Sequence, residues 1–192
     1  RRAILMDVRD RERVRALFAE ARPEIVFHAA ALKHVPLVET NAAEGAAVNL
    51  AGTVNVADAA RAANAGAMVL ISTDKAVNPA SIMGATKRAA EMYCQALDLE
   101  SRSGTRFVTV RFGNVLGSTG SVVPLFQDQL ARGEPLTVTH PEMARYFMTV
   151  REAVELVIEA AASESSCEGT PSGVTRRSNN GGGDSPAAAV AS

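Results

Sequence analysis

VLISTDKAVNPASIMGATK, residues Val69 to Lys87, is the stretch on which the fold turns. Val69, Leu70 and Ile71 make a short apolar run of the kind a buried parallel strand shows. Ser72, Thr73, Asp74 and Lys75 stand where that strand runs out, and Asn78-Pro79 marks a turn. Ser81 is placed to cap a following helix, on which Met83 and Lys87 lie four residues apart on one face. In an open α/β sheet the carboxyl ends of the strands face the ligand crevice. A hydroxyl, a carboxylate and an amine therefore arrive together where small molecules bind.

Working outward, the same strand–helix rhythm repeats. Towards the N-terminus, Ile4-Leu5-Met6 reads as the end of a strand, with Asp7 just past it. Asp10 caps a helix with Val14, Leu17 and Phe18 as its apolar stripe, as far as Arg22-Pro23. Glu24 to His28 is a second strand. The small residues Ala29-Ala30-Ala31 after it either let a flat ligand lie against the backbone or serve close helix–strand packing. Lys33 and His34 follow on a loop, where such residues taken singly are usually solvated. Glu39 to Ala65 is a long helical stretch, weakened by Gly45 and Gly52 and capped by Gly66. Its polar positions Asn49, Thr53 and Asn55 suit either the site or capping and surface roles.

Towards the C-terminus, the helix after Ser81 runs to about Ser103, where Gly104 stops it. Arg106 to Phe112 alternates as a strand does. Gly117 to Ser121 is a glycine-rich loop opening a helix from Val122 to Arg132, an arrangement that exposes amides to an anion but is common for geometry alone. Leu136 to Thr139 is a candidate short strand, and a helix from about Arg151 to Ala162 closes the folded part. Repeated strand–helix order implies an α/β fold with a doubly wound parallel sheet over residues 1–162. From Ser163 onward the chain is rich in Gly, Ser, Pro and Ala, with almost no large apolar side chains. Such a segment buries too little to offset its ordering entropy, so 163–192 is expected to be a disordered or aberrant tail.

Composition excludes several classes. A net charge of −1 gives no electrostatic case for nucleic acid or an anionic membrane surface. No apolar run approaches the roughly 18 residues of a membrane span. Cys94 and Cys167 read as reduced thiols of a cytosolic protein, and His28, His34 and His140 show no metal-ligand spacing with them.

Six stretches, taken together, resemble a known family. They are Val26 to Pro36 (VFHAAALKHVP), Asn49 to Val56 (NLAGTVNV), Ser72 to Pro79 (STDKAVNP), Met83 to Glu91 (MGATKRAAE), Arg111 to Phe126 and His140 to Thr149. In this order they are similar to the polysaccharide-biosynthesis branch of the extended short-chain dehydrogenases, which contains UDP-N-acetylglucosamine 4,6-dehydratases. The likeness covers roughly Leu5 to Ala162 and is greatest to the large, membrane-anchored members, in which methionine replaces the usual catalytic tyrosine. Met83 matches that position.

The resemblance implies a Rossmann-like fold, NAD as cofactor and a UDP-sugar as substrate. In the chemistry it implies, hydride leaves sugar C4, a base takes the C5 proton, the C6 hydroxyl departs as water, and hydride returns to C6. Lys75 is then the base and Asp74 the acid. Thr73 bonds near the C4 hydroxyl, and Lys87 bonds the nicotinamide ribose. A thioether takes no proton, so either Asp74 or a water held by Thr73 receives the one from the C4 hydroxyl. These roles require a partly neutral Lys75 and a proton-bearing Asp74. The resemblance also puts Asp7 and Val8 near the adenine, Ala29, Ala30, Lys33 and Asn49 along the rest of the cofactor, Asn114, Ser121 and Val122 near the nucleotide sugar, and Arg145 near the diphosphate. Thr119 stands where some relatives carry arginine and Ala144 where threonine is usual, departures expected to weaken substrate contacts without changing the reaction class.

One family feature has no match. No G-x-x-G-x-x-G stands after a first strand, the loop that holds a dinucleotide pyrophosphate. The sequence reads as starting at the third strand of the 3-2-1-4-5-6 order, so that the first two strands are missing and Glu24–His28 has an open edge. The 192-residue chain alone is accordingly expected to bind NAD poorly and to be inactive. Alternatives are an epimerase of the same superfamily, against which the Asp74-Lys75 pair argues, and a non-catalytic truncated copy. A cytoplasmic location is expected; anchoring of the parent protein to the inner membrane by a missing N-terminal region is left open, as is a homo-oligomer.

Overall fold

The computed structural model describes residues 2–100, 104–117, 122–138 and 146–162. Two of its helices, α1 and α5, begin at a residue whose side chain accepts from a backbone amide. Helix α1 (Arg11–Ala21) starts at Asp10, whose carboxylate accepts from the Arg13 amide at 3.1 Å. It ends at Arg22 in the left-handed region, directly before Pro23, which cannot continue a helix. Strand β1 (Ile25–His28) follows, then α2 (Val35–Thr40), α3 (Ala42–Ala46), a π-helical turn (Ala47–Ala51) and α4 (Gly52–Ala62). The single helix expected over Glu39–Ala65 is thus broken. Thr40 and Asn41 end α2 by bonding back to the Leu37 carbonyl, and five residues of π-helix precede Gly52.

Strand β2 (Ala67–Thr73) runs into a 3₁₀ turn (Asp74–Ala76), and α5 (Ile82–Leu99) comes next. Ser81 caps α5 through the Gly84 amide at 3.1 Å, and Glu39 of α2 accepts from the Ile82 amide at 2.6 Å. Strand β3 (Arg106–Phe112), a two-residue β4 (Asn114–Val115), α6 (Val122–Ala131), β5 (Phe147–Met148) and α7 (Val150–Ala162) complete the order.

β1, β2 and β3 form a parallel sheet with β2 in the centre, and β4 pairs with β5 in parallel just beyond the end of β3. A parallel neighbour needs a crossover, and each is helical, as in a doubly wound Rossmann-like sheet. Because side chains alternate along a strand, the sheet has two distinct faces. Val26, Met68, Leu70 and Phe107 face α1, α4 and α5, where Val14, Val56, Ala57, Ala60, Ala90 and Cys94 complete the larger core. Val69, Ile71, Val108, Val110 and Phe112 face α7.

Four boundaries differ from the sequence expectation. Ile4–Met6 is not a strand: it has no ladder partner among the described residues, and Leu5 is 94% exposed. Residues 136–138 are likewise without strand pairing. Gly66 does not cap α4; Ala63 does, Asn64 takes the left-handed conformation, and the Gly66 amide bonds Glu24 at the start of β1. Helix α5 ends at Leu99 rather than near Ser103. The expected tail, 163–192, lies outside the described residues. No helix among the described residues is long and apolar enough to cross a membrane.

Candidate active site at the carboxyl end of the sheet

Thr73 ends β2 and Asp74 and Lys75 open the 3₁₀ turn, so three functional groups leave the sheet within one turn of chain. Lys75 Nζ donates to Asp74 Oδ1 at 2.9 Å, and Thr73 Oγ1 donates to the same oxygen at 2.9 Å. Both members of the ion pair are about one-third exposed, so the pair is reachable from solvent yet partly shielded. Burial pushes the Asp74 carboxyl up. The hydrogen bonds from Lys75 and Thr73 outweigh it and hold the carboxyl below its ordinary value. The free protein thus carries an ionised Asp74, opposite to the proton-bearing acid that the resemblance implies.

Helix α5 closes the site from one side. A Cβ on Gly84 would run into the Lys75 carbonyl oxygen, so only glycine lets the first turn of the helix sit on the 3₁₀ turn. That approach brings Met83 and Lys87, both buried, next to the strand end. Lys87 Nζ donates to the Ile71 carbonyl at 2.6 Å. Burial pushes its ammonium down to about 8, with Glu91 and Cys94 pulling the other way. His28, at the end of β1, is also buried, and burial together with the Lys87 charge pushes it down to about 4. Thr53 Oγ1 gives its hydrogen to the Asn49 carbonyl at 2.7 Å, so neutral His28 donates from Nε2 to Thr53 at 3.0 Å.

Asn49 is fully buried in the π-helical turn. Its Oδ1 accepts from the Leu32 amide at 2.7 Å, and its Nδ2 donates to the Leu32 carbonyl and to Thr86 Oγ1. Both amide hydrogens are therefore spent inside the protein. Asn49 latches the loop after β1 to α5. Thr53 donates to the Asn49 carbonyl within the π-turn, a local irregularity of the sort found at functional sites.

Asp7 and Val8, expected near the adenine, share an open cleft with Ala30, expected on the ribose and nicotinamide side. Asp7, Val8 and Ala30 line a cavity of about 540 Å³ together with Leu5, Met6 and Arg13. Asn55 fixes its floor by donating to the Val8 and Arg9 carbonyls, and Gly52 leaves room for the Val8 side chain against α4. Arg9 pairs with Asp7 at 2.7 Å and holds that exposed carboxyl below its usual value. Ala29 and Lys33 are exposed on the loop that Asn49 anchors.

On the substrate side, Asn114 is half-buried in β4, its amide bonded to the Tyr146 carbonyl at 2.9 Å. Val122 is the first residue of α6. Ser121 and Arg145, with Thr119 and Ala144, lie outside the described residues. Missed by the sequence reading are His28 and Thr53 as buried partners, and a cluster around Glu91. Their signal was available only in hindsight: polar residues on the inward face of a strand or helix, where water cannot satisfy them.

Residues 1–169 match the family model described as polysaccharide biosynthesis protein. The chain belongs to that family. It is 55% identical over 159 residues to the capsular polysaccharide biosynthesis protein CapD of Staphylococcus aureus, covering 83% of this chain and 26% of that one. It is 38% identical over 159 residues to the inverting UDP-N-acetylglucosamine 4,6-dehydratase of Campylobacter jejuni, covering 82% of this chain and 47% of that one. Among solved structures, the UDP-glucose 4-epimerase of Thermus thermophilus in complex with NAD superposes with a TM-score of 0.72 at 27% identity, over 83% of this chain and 60% of that one. This member of the polysaccharide biosynthesis family thus spans about a quarter to a half of the curated relatives it matches. Those relatives include dehydratases and epimerases on one Rossmann-like frame.

Proposed function

We propose that this chain is the catalytic segment of an NAD-dependent nucleotide-sugar 4,6-dehydratase acting on a UDP-N-acetylglucosamine-type substrate. The observation that carries the proposal is the Asp74–Lys75 pair, consecutive in sequence, joined at 2.9 Å and one-third exposed at the end of the central strand. Epimerisation at C4 needs no acid–base pair for loss of water; dehydration does.

NAD, when bound, supplies reversible hydride transfer. Asp7 and Val8 would hold the adenine in the cleft of about 540 Å³, with Ala30 towards the ribose and nicotinamide. Lys87 would hold the cofactor's ribose side, with buried Met83 packed beside it on α5. Asp74 and Lys75 change protonation together. Passing one proton along the Nζ–H···Oδ1 bond converts carboxylate and ammonium into acid and amine, with no change in net charge. A sugar that displaces water from the pair favours that neutral form, because desolvation penalises charges. The Lys75 amine then removes the C5 proton and returns it to C5 once hydride reaches C6. The Asp74 acid protonates the departing C6 hydroxyl. The C4 hydroxyl proton, received by Asp74 or by a water held by Thr73, restores the pair to its starting protonation. Thr73 orients Asp74 through their hydrogen bond.

The test places residues 1–162 in the matched segment of the Staphylococcus aureus relative and incubates the hybrid with UDP-N-acetylglucosamine. Nuclear magnetic resonance should show a 4-keto-6-deoxy product, lost in Asp74→Asn and Lys75→Met. A C4 epimer as the product would overturn the dehydratase in favour of an epimerase, the class of relatives 41–43% identical over 136–138 residues.

A further inference from the structure

Beneath the site lies a charged cluster that no proposed chemical step uses. Glu91 is 3% exposed, yet its carboxylate takes four hydrogen bonds from three elements. Ser72 of β2 donates to Oε1 at 2.6 Å. Arg111 of β3 donates from Nε to Oε1 at 2.9 Å and from Nη2 to Oε2 at 2.7 Å. Arg88, one turn earlier on α5, donates to Oε2 at 3.0 Å. Burial pushes the Glu91 carboxyl up, but these donors outweigh it and hold it below its ordinary value.

The placement matters more than the charge. Ser72 and Arg111 are register partners in the parallel ladder, so both side chains leave the same face of the sheet side by side. Lys87 and Glu91 are four apart on α5, hence on one helical face. Two successive residues of β2 are thereby gripped by two successive turns of α5. The Ile71 carbonyl takes Lys87 Nζ, and the Ser72 hydroxyl goes to Glu91. The next residue of the strand is Thr73, and three residues past Arg111 stands Asn114.

We propose that Glu91 is a positioning residue, a clamp that sets α5 against β2 and β3 so that Lys87 is held at the strand end and Thr73–Lys75 are presented together. That the clamped groups serve dehydration rests on the function proposed above; the clamp itself does not. A buried ion cluster joining three elements fixes geometry at a cost in desolvation, whereas apolar packing alone would leave the helix free to slide.

The chain has three lysines, Lys33, Lys75 and Lys87, and all three are expected site residues. Lysine acetylation by acetic anhydride, read peptide by peptide in a mass spectrometer apart from the α-amine of Arg1, therefore reports on the site alone. His28 on β1 and Cys94 on α5 also face Lys87 and stay unchanged in the variants. In the 192-residue chain at pH 7.5, Lys87 should label slowest and exposed Lys33 fastest. Glu91→Gln should raise Lys87 labelling relative to Lys33 roughly fivefold or more, and Ser72→Ala roughly twofold, with circular dichroism unchanged. Lys75 should follow in the same direction.

An unchanged Lys87-to-Lys33 ratio in a folded Glu91→Gln variant would overturn the clamp. Should that variant unfold, Ser72→Ala decides by the same ratio. Labelling needs neither substrate nor cofactor, so failure of the dehydratase assay and failure of the clamp are told apart.

Discussion

The two faces of the central sheet are held by different physics. Towards α4 and α5, apolar packing is overlaid by directed polar contacts: His28 to Thr53, Asn49 to Leu32 and Thr86, Ser72 and Arg111 to Glu91. Towards α7 there is chiefly hydrophobic contact, and it is incomplete. Ile25 and Phe27 on β1 stay about half exposed, as do Val150, Val154 and Ile158 at four-residue intervals along α7. An apolar cavity of about 260 Å³ lies between Phe27, Phe112 and those helix residues. Hydrophobic burial is non-directional and tolerates small shifts, whereas hydrogen bonds in a low-dielectric interior specify distance and angle. The face that carries the proposed chemistry is the one on which geometry is specified.

The largest expected break of this contrast is Glu91→Ala. It strands the Arg111 guanidinium, so urea unfolding should show a loss of about 3–5 kcal/mol. A loss no larger than that of an ordinary surface substitution would erase the distinction between the faces. Acidification attacks the same face through His28. Its folded value near 4 lies below the unfolded 6.5, so the unfolded chain binds more protons between the two. Stability should therefore fall as pH drops from 6.5 towards 4, by about 3 kcal/mol in all, and His28→Gln should flatten that slope.

Gly84→Ala should come next. The added methyl meets the Lys75 carbonyl, so helix or turn must shift, at about 1–3 kcal/mol by thermal unfolding. Phe27→Ser on the other face should cost least, roughly 1 kcal/mol, since half of the ring is already in water. Sedimentation should also show less self-association, because an open strand edge flanked by apolar side chains invites pairing. If Phe27→Ser instead destabilised as much as Glu91→Ala, the α7 face would be the better-determined one.

Contiguous residues made much of this molecule legible. Asp10 and Ser81 cap their helices through amides three residues away, and Arg106–Phe112 shows its alternation within seven residues. Thr73, Asp74 and Lys75 adjoin each other in the chain, so their hydrogen bonds follow from the turn itself. Ile4–Met6 misled for the opposite reason, because an apolar triplet becomes a strand only when a neighbour supplies the ladder. Asn49 was expected to touch the cofactor; its amide is occupied by Leu32, seventeen residues away. Asp74 was expected to hold a proton, yet Lys75 and Thr73 spend their hydrogens on it.

The sequence by itself determined the parallel α/β plan, the starts of α1 and α5 and the trio at the end of β2, since these depend on periodicity and on neighbours within a turn. Only the tertiary structure decided that Ser72, Arg111 and Glu91 meet, that Asn49 faces inward, and that Asp7, Val8 and Ala30 share one cleft. Those meetings join residues about 20 positions or more apart in most cases. Their partners are chosen by strand register and helix rotation, which no local window contains.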